Sequence, residues 1–314
     1  MVDSKHKWKA WLFLSPSLVL LAVFTVWPII NTMIMAFSEG YSQMYALAGK
    51  SFQFGLGNFE FVAQYPKFIQ YLKTTVLLCV LTVPISTILA LLIAVALNSI
   101  KPLRKVLQTI YFLPYVTNSI AIGLVFSAMF NVIGNVSATN AQIESYGIIN
   151  NILMAITGDK WINWINAGSP YWANITVMVI YIVWNALPFK ILILLGGLQS
   201  VNKQYYDAAK VDGTSKARVL MRITVPLLSP MITYVVITGF MGGFNESSSI
   251  VGIFGADMGP TGNPDAMKTI VGYVYDSLAA NQEGLASAAA LILFAIILAV
   301  TLINLQISKR NTHY

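Results

Sequence analysis

Catalysis through a nucleophile, a metal or paired carboxylates needs those groups at short, regular spacings, and this chain of 314 residues offers no such arrangement. The single cysteine, Cys79, lies in an apolar run, which leaves no intrachain disulfide and no cysteine-ligated zinc site. His6 and His313 stand at opposite ends, there is no H-E-x-x-H, and Gly213-Thr214-Ser215-Lys216 lacks the spacing of a phosphate-binding G-x-x-x-x-G-K-[ST] loop. Neither a catalytic nor a metal site is therefore expected. What remains is a sparse set of polar residues in apolar surroundings, suited to hydrogen bonding rather than to making bonds. Glu246 leads it, in Gly242-Gly243-Phe244-Asn245-Glu246-Ser247-Ser248-Ser249, where Asn245, Glu246 and Ser247 supply polar groups and Phe244 an aromatic face. Tyr115 with Asn118, and Trp184 with Asn185, are further binding candidates, although buried amides in such segments also serve as bonds between helices. Lys190 reads as a long side chain snorkelling from a helix end.

The elements that must position these residues follow from composition. Hydrophobic residues make up 57% and charged ones only 10%, against ~45–50% and ~25% in an ordinary soluble domain. A water-facing enzyme and a disordered chain are both excluded. A spanning helix needs about 20 apolar residues, and six stretches free of ionisable groups satisfy this, placing helices near 11–37, 73–98, 107–131, 172–195, 227–250 and 285–307. The expected fold is all-α, a polytopic membrane protein with a short N-terminus, 1–10, and a membrane domain, 11–314. The first stretch is too long for a signal-peptide core and has no small-residue cleavage site after it, so it reads as a retained helix. Pro84, Pro114 and Pro188 are expected to kink their helices. Gly239 and Gly243 have the spacing of a helix-packing face.

Orientation follows from lysine and arginine in the short flanks. With both termini in the cytoplasm, the inner flanks hold Lys5, Lys7, Lys9, Lys101, Arg104, Lys105, Lys203, Lys210, Lys216, Arg218, Arg222, Lys309 and Arg310, and the outer ones only Lys50, Lys67, Lys73, Lys160 and Lys268. The net charge of +7 is thus a consequence of topology, and no nucleic-acid partner is expected. One inner connection, 199–226, is long and patterned. Lys203–Val211 reads as a short helix stopped by Gly213, with Thr214 or Ser215 capping a second one, Lys216–Arg222, and Pro226 marking entry to the fifth span. Ala208 and Ala209 are read as a small face that lets another protein approach.

At these residues the chain resembles a known family. Asp207-Ala208-Ala209, then Gly213, then Ile223-Thr224-Val225-Pro226, is similar to the EAA loop of permease subunits of binding-protein-dependent ATP-binding-cassette importers. The family usually has Glu where Asp207 stands and Leu where Val225 stands. Leu14-Ser15-Pro16-Ser17, Trp27-Pro28, Gly57-Asn58-Phe59, Phe112-Leu113-Pro114 and Gly197-Leu198-Gln199 are similar to the carbohydrate-uptake branch, in particular to the first permease of maltose- and glycerol-phosphate-type systems. Phe244-Asn245 and Met258-Gly259-Pro260 resemble stretches of the family's sugar pocket and the segment after it.

The resemblance implies a type I importer permease in a bacterial inner or plasma membrane. It implies that Asp207, Ala208, Ala209, Asp212 and Gly213 dock in a groove of a cytoplasmic ATPase dimer. It also implies a second homologous permease, an extracytoplasmic sugar-binding protein, a sugar (an oligosaccharide first) as solute, and ATP with magnesium held by the ATPase subunits, this chain itself carrying no cofactor. Three alternatives remain open: an ion-gradient-driven secondary transporter, which would want more intramembrane ionisable groups than Glu246; an importer of a polyol or glycerol-phosphate ester; and a membrane-embedded enzyme.

Overall fold

A computed structural model describes residues 7–100, 104–136, 141–158 and 160–311. Lys5, His6, Lys101, Asp159 and His313 lie outside the described residues. In chain order the elements are α1 (Trp11–Phe37), α2 (Gln43–Leu47), α3 (Gly57–Gln64), α4 (Phe68–Ser99), α5 (Arg104–Val116), α6 (Ser119–Phe130), strands β1 (Val132–Val136) and β2 (Ala141–Tyr146), α7 (Ile148–Thr157), α8 (Tyr171–Ser200), α9 (Lys203–Val211), α10 (Lys216–Leu227), α11 (Ser229–Phe244), α12 (Ser248–Phe254), α13 (Ile270–Ala279) and α14 (Glu283–Asn311). The fold is mostly helical. Strands β1 and β2 form an antiparallel hairpin with a bulge at Ile133/Gly134, which the all-α expectation did not include.

Among the described residues, four helices are long and apolar enough to cross a bilayer: α1, α4, α8 and Glu283–Ile307 of α14. A fifth candidate is α10 with α11, bent by 72° at the break between them. Two expected spans differ from the helices found. The one near 107–131 is broken between α5 and α6, because Asn118 turns its side-chain oxygen onto the backbone N–H groups of Ile120 and Ala121 and starts a new helix there. The one near 227–250 ends at Phe244. Its entry is not Pro226, since α10 runs through that residue and the bend falls at Leu228, with Pro230 in the first turn of α11.

Prolines set the helix register in two places. Pro28 and Pro226 each lack an N–H and press on the carbonyl four residues back. Each is preceded by five residues of wider π-helix, Ala22–Val26 and Leu220–Thr224, whose middle residue contributes that carbonyl. By contrast, α4 and α8 run without interruption through Pro84 and Pro188.

The chain forms two compact units. One comprises residues up to Ile69 together with Tyr273–Phe294. Asn58 is its hub: its amide donates to the carbonyls of Ala36 (3.0 Å) and Ser38 (2.8 Å), and its oxygen accepts from Gly40 N (3.1 Å). Glu39 accepts from Gly57 N at the start of α3, where a negative charge is favourable. Glu283 accepts from Gln43 N. These bonds account for the Gly57-Asn58 pair.

The second unit holds Gln70–Gly272 and the chain from Ala295. One core cluster gathers Leu78, Phe130, Val177, Met178, Tyr181 and Ile250; another gathers Ala90, Ala94, Ile191, Leu194, Leu195, Leu228 and Val235. Lipid is as apolar as leucine, so close packing and hydrogen bonds, rather than escape from water, hold such helices together. Glycines supply the closeness. A Cβ on Gly239 would stand 3.1 Å from Val83 Cγ1, and one on Gly243 would stand 2.8 Å from Cys79 Sγ, so both face α4 across residues four apart. A Cβ on Gly123 in α6 would come within 2.6 Å of the Gly252 backbone in α12. The Asn-rich segment after β2 is bonded to itself: buried Asn150 exchanges bonds with the Ile162 backbone and accepts from Trp164 Nε1.

Neighbouring glycines of α11 therefore separate packing from composition. Gly243→Leu should destabilise the purified chain by about 1–3 kcal/mol through overpacking, read as a lower thermal unfolding midpoint. Gly242→Leu, which meets nothing within 4 Å, should leave that midpoint near its original value.

Candidate functional site

The second unit contains a cavity of about 260 Å³ walled by α4, α5, α8 and α11, with Glu246 just beyond α11. Its residues include Thr82, Ser86, Tyr115, Asn185, Phe189, Lys190, Thr238 and Glu246. Of the eight residues read as binding candidates, three meet here. Tyr115 stacks on Phe189, with centroids 5.7 Å apart and planes 17° from parallel, which presents one broad aromatic face. Asn185 is half-buried on the wall, and its amide makes no hydrogen bond to another described residue. Glu246 keeps one oxygen on Ser249 N, 3.0 Å away, and its backbone carbonyl accepts from Thr269.

The other five lie off the cavity wall. Asn118 caps α6. Asn245 donates its amide to Met241 O at 2.9 Å and is exposed at the end of α11. Phe244 and Ser247 are buried, Phe244 beside Phe240 and Ser247 at the start of α12. Trp184 lies against Phe126.

The sequence reading of Lys190 needs correction. Helix α8 runs on to Ser200, so Lys190 is not at a helix end, and it is only 4% exposed. Its ammonium donates to Val83 O (3.2 Å), Ser86 Oγ (2.7 Å) and Thr87 Oγ1 (3.0 Å), all on α4. Gly239 leaves it room, since a Cβ there would stand 3.1 Å from Nζ. Among the described residues no carboxylate lies within ion-pair distance of Lys190. The cavity wall thus carries one cation, one carboxylate, a free amide and a stacked aromatic pair. Such a set can hold a solute with hydroxyl groups and an apolar face. The signal for Lys190 was its apolar context together with Ser86-Thr87 on another helix, a pairing that spacing along one segment does not reveal.

A second set lies in the 199–226 loop. Asn202 caps α9 through Gln204 N. At the other end Gly213 has φ +64°, with Gly213 N bonded to Lys210 O and Thr214 N to Ala209 O. This paired closure satisfies the last carbonyls and requires a left-handed residue just past the helix. Ser215 precedes α10 without a side-chain cap bond. The expected alanine face is divided: Ala209 is buried, while Asp207, Ala208 and Val211 are exposed, because consecutive helical residues point in different directions. Asp207 pairs with Lys210 at 3.6 Å, a solvated contact worth little stability.

Residues 86–313 match the family described as the inner membrane component of binding-protein-dependent transport systems. The chain belongs to that family. Its relatives include the lactose transport system permease protein LacF of Rhizobium radiobacter, 29% identical over 85% of this chain and 82% of LacF. The arabinooligosaccharides transport system permease protein AraP of Bacillus subtilis is 30% identical over 95% of this chain and 88% of AraP. The trehalose/maltose transport system permease protein MalF of Thermococcus litoralis is 28% identical over 98% and 97%. A chain from the crystal structure of a bacterial ABC transporter that imports the acidic polysaccharide alginate shares the fold, with a TM-score of 0.76, 21% identity and 98% of both chains covered.

Ser86 and Thr87 are both acceptors of the Lys190 ammonium. Ser86 and Thr87 also donate to carbonyls of their own helix, at Thr82 and Val83. Replacing the ammonium with a thioether of similar length therefore strands no hydroxyl. Lys190→Met should keep thermal stability within about 1 kcal/mol of the original or raise it, since buried charge is expensive to desolvate. A melting curve of the purified chain measures this, and a large loss would make Lys190 a structural pin only.

Proposed function

We propose that this chain is a membrane-spanning permease subunit of an ATP-driven importer, and that its solute is a sugar, an oligosaccharide first. The observation that carries the reading is the α9–Gly213–α10 knuckle: Asp207-Ala208-Ala209, Gly213 and Ile223-Thr224-Val225-Pro226 on two short helices joined by a left-handed glycine. Relatives named for lactose, arabinooligosaccharides and trehalose/maltose support the carbohydrate part.

On this reading the chain crosses a bacterial inner or plasma membrane six times with both termini inside. Residues 1–10 precede the membrane domain, 11–314, and α5 with α6 forms the broken third span. Asp207, Ala208, Asp212 and Gly213 face a cytoplasmic ATPase dimer, with Ala209 supporting them from beneath. A second homologous permease completes the pathway, and an extracytoplasmic sugar-binding protein delivers the solute. ATP and magnesium belong to the ATPase subunits, so this chain transports rather than hydrolyses. The solute rests against Tyr115 and Phe189, with Asn185, Glu246 and Lys190 as the polar groups around it; Asn245 and Ser247 hold the chain around Glu246 in place. Closure of the ATPase pair moves α9, and α8 carries the movement toward the cavity.

Gly213 provides the test. Nothing lies within 4 Å of its Cβ position, so a large side chain there strains the backbone by only about 1–2 kcal/mol yet protrudes where the partner would sit. In proteoliposomes with ATP sealed inside and the binding protein supplied, Gly213→Trp should abolish labelled oligosaccharide uptake while ATP hydrolysis persists. Gly213→Asn, which tolerates the left-handed conformation, should retain most uptake. Uptake driven by an ion gradient alone would instead make this a secondary transporter, with Glu246 the first residue to replace.

A further inference from the structure

A separate cavity of about 690 Å³ opens beneath α9 and α10, at the ends of α4 and α8. It has two kinds of wall. Val95, Leu198, Val219 and Leu220 make an apolar floor, and Lys203, Lys210 and Lys216 stand around it as cations. The one carboxylate among its lining residues, Asp207, is engaged by Lys210. Among the described residues, Lys203 and Lys216 have no carboxylate within ion-pair distance. Thr214 adds a hydroxyl, and Tyr206 shares its own with Thr224 at 3.4 Å.

The height of this cavity along the helices matters. α4 and α8 are long enough to span, and the cavity lies at Asn98–Ser99 and Leu198, within the last turns of both. That is where a spanning helix leaves hydrocarbon for the headgroup layer. A site at that level that sets apolar residues beside unpaired cations is complementary to a molecule with a phosphate and an acyl root. We propose that the cavity binds the headgroup of an anionic phospholipid, its phosphate between Lys203 and Lys216 and its glycerol and first methylenes on the Leu198–Leu220 floor. A soluble phosphate ester shares the headgroup chemistry but has no use for the floor. A lipid seated there braces α9 and α10 against the ends of α4 and α8. The inference is independent of which solute is carried.

The full chain, purified in detergent and exposed to phosphatidylglycerol or phosphatidylcholine, tests it by native mass spectrometry of retained lipid. The original chain should retain phosphatidylglycerol preferentially, and Lys203→Gln with Lys216→Gln should reduce that retention on the order of tenfold, each lysine near a headgroup contributing comparably. Phosphatidylcholine retention should not change. A matched pair elsewhere, Lys50→Gln with Lys67→Gln, should have no such effect. Equal losses from both pairs would reduce the result to general surface charge and overturn the site. Unchanged retention in the Lys203/Lys216 variant would also overturn it, as would displacement of phosphatidylglycerol by glycerol phosphate alone, which would reassign the cavity to a soluble phosphate ester.

Discussion

Inside a bilayer there is no water to satisfy a stray polar group, so each one must find its partner within the protein. Much of the second unit is organised by how α4 meets that constraint. Thr75, Cys79, Thr82 and Ser86 recur at helical spacing on one face, and Thr75, Thr82, Ser86 and the adjacent Thr87 each donate to a carbonyl of their own helix. Their oxygens remain open as acceptors, and other segments dock on them. Ile270 N donates to Thr75, and Lys190 of α8 donates to Ser86 and Thr87. Cys79 in turn donates weakly to Phe240 O. A hydroxyl row that is already satisfied locally can receive a cation without an orphan being created when the cation is absent.

The same stripe explains why α11 needs glycine on two of its turns. Gly239 faces Val83 and Lys190, and Gly243 faces Cys79. Side chains there would push α11 off α4 and open the cavity wall from the side. All three glycines of this stretch line the cavity, but Gly242 alone among them has nothing within 4 Å of its Cβ position. Glycine therefore serves two purposes within five residues, close packing against α4 and open space in the cavity. The Gly123–Gly252 contact between α6 and α12 applies the first of these to a second helix pair.

Much of this was legible in the sequence, because apolar length and glycine spacing act locally. The long apolar stretches around α1, α4, α8 and α14, the stop at Gly213 and the packing face at Gly239/Gly243 each follow from a property of one segment. The errors arose where a distant partner or a local cap overrode the pattern. Asn118 looked like a residue within a continuous span, but a side-chain oxygen two residues from an N–H can also end one helix and begin another. Lys190 looked like a snorkelling residue because nothing nearby in sequence offers it an acceptor; its acceptors lie about a hundred residues away on α4. Ala208 and Ala209 looked like one face because both are small, although helical geometry separates them. The hairpin was missed because its strands lie in a connection rich in Asn and Gly, where alternation of apolar and polar residues is weak.

The placement of α8 connects the two sets of candidate residues. Its middle carries Asn185, Phe189 and Lys190 on the cavity wall, and only Val201 separates Ser200 at its end from Asn202, the cap of α9. From Lys190 to Ser200 is ten residues, or roughly 15 Å of rigid helix. Near that end Gly197 permits Leu228 and Met231 to pack closely, since a Cβ there would come within 2.9 Å of both side chains. The bend between α10 and α11 therefore rests on α8 rather than on solvent. Under the proposed reading, a push on the knuckle reaches α8 through its C-terminal end and α11 through the bend, and these are two of the helices that wall the cavity. A loop joined to the membrane helices by flexible chain could not transmit such a push, which is why a left-handed glycine that fixes the angle between two short helices is more useful here than a longer, freer connection.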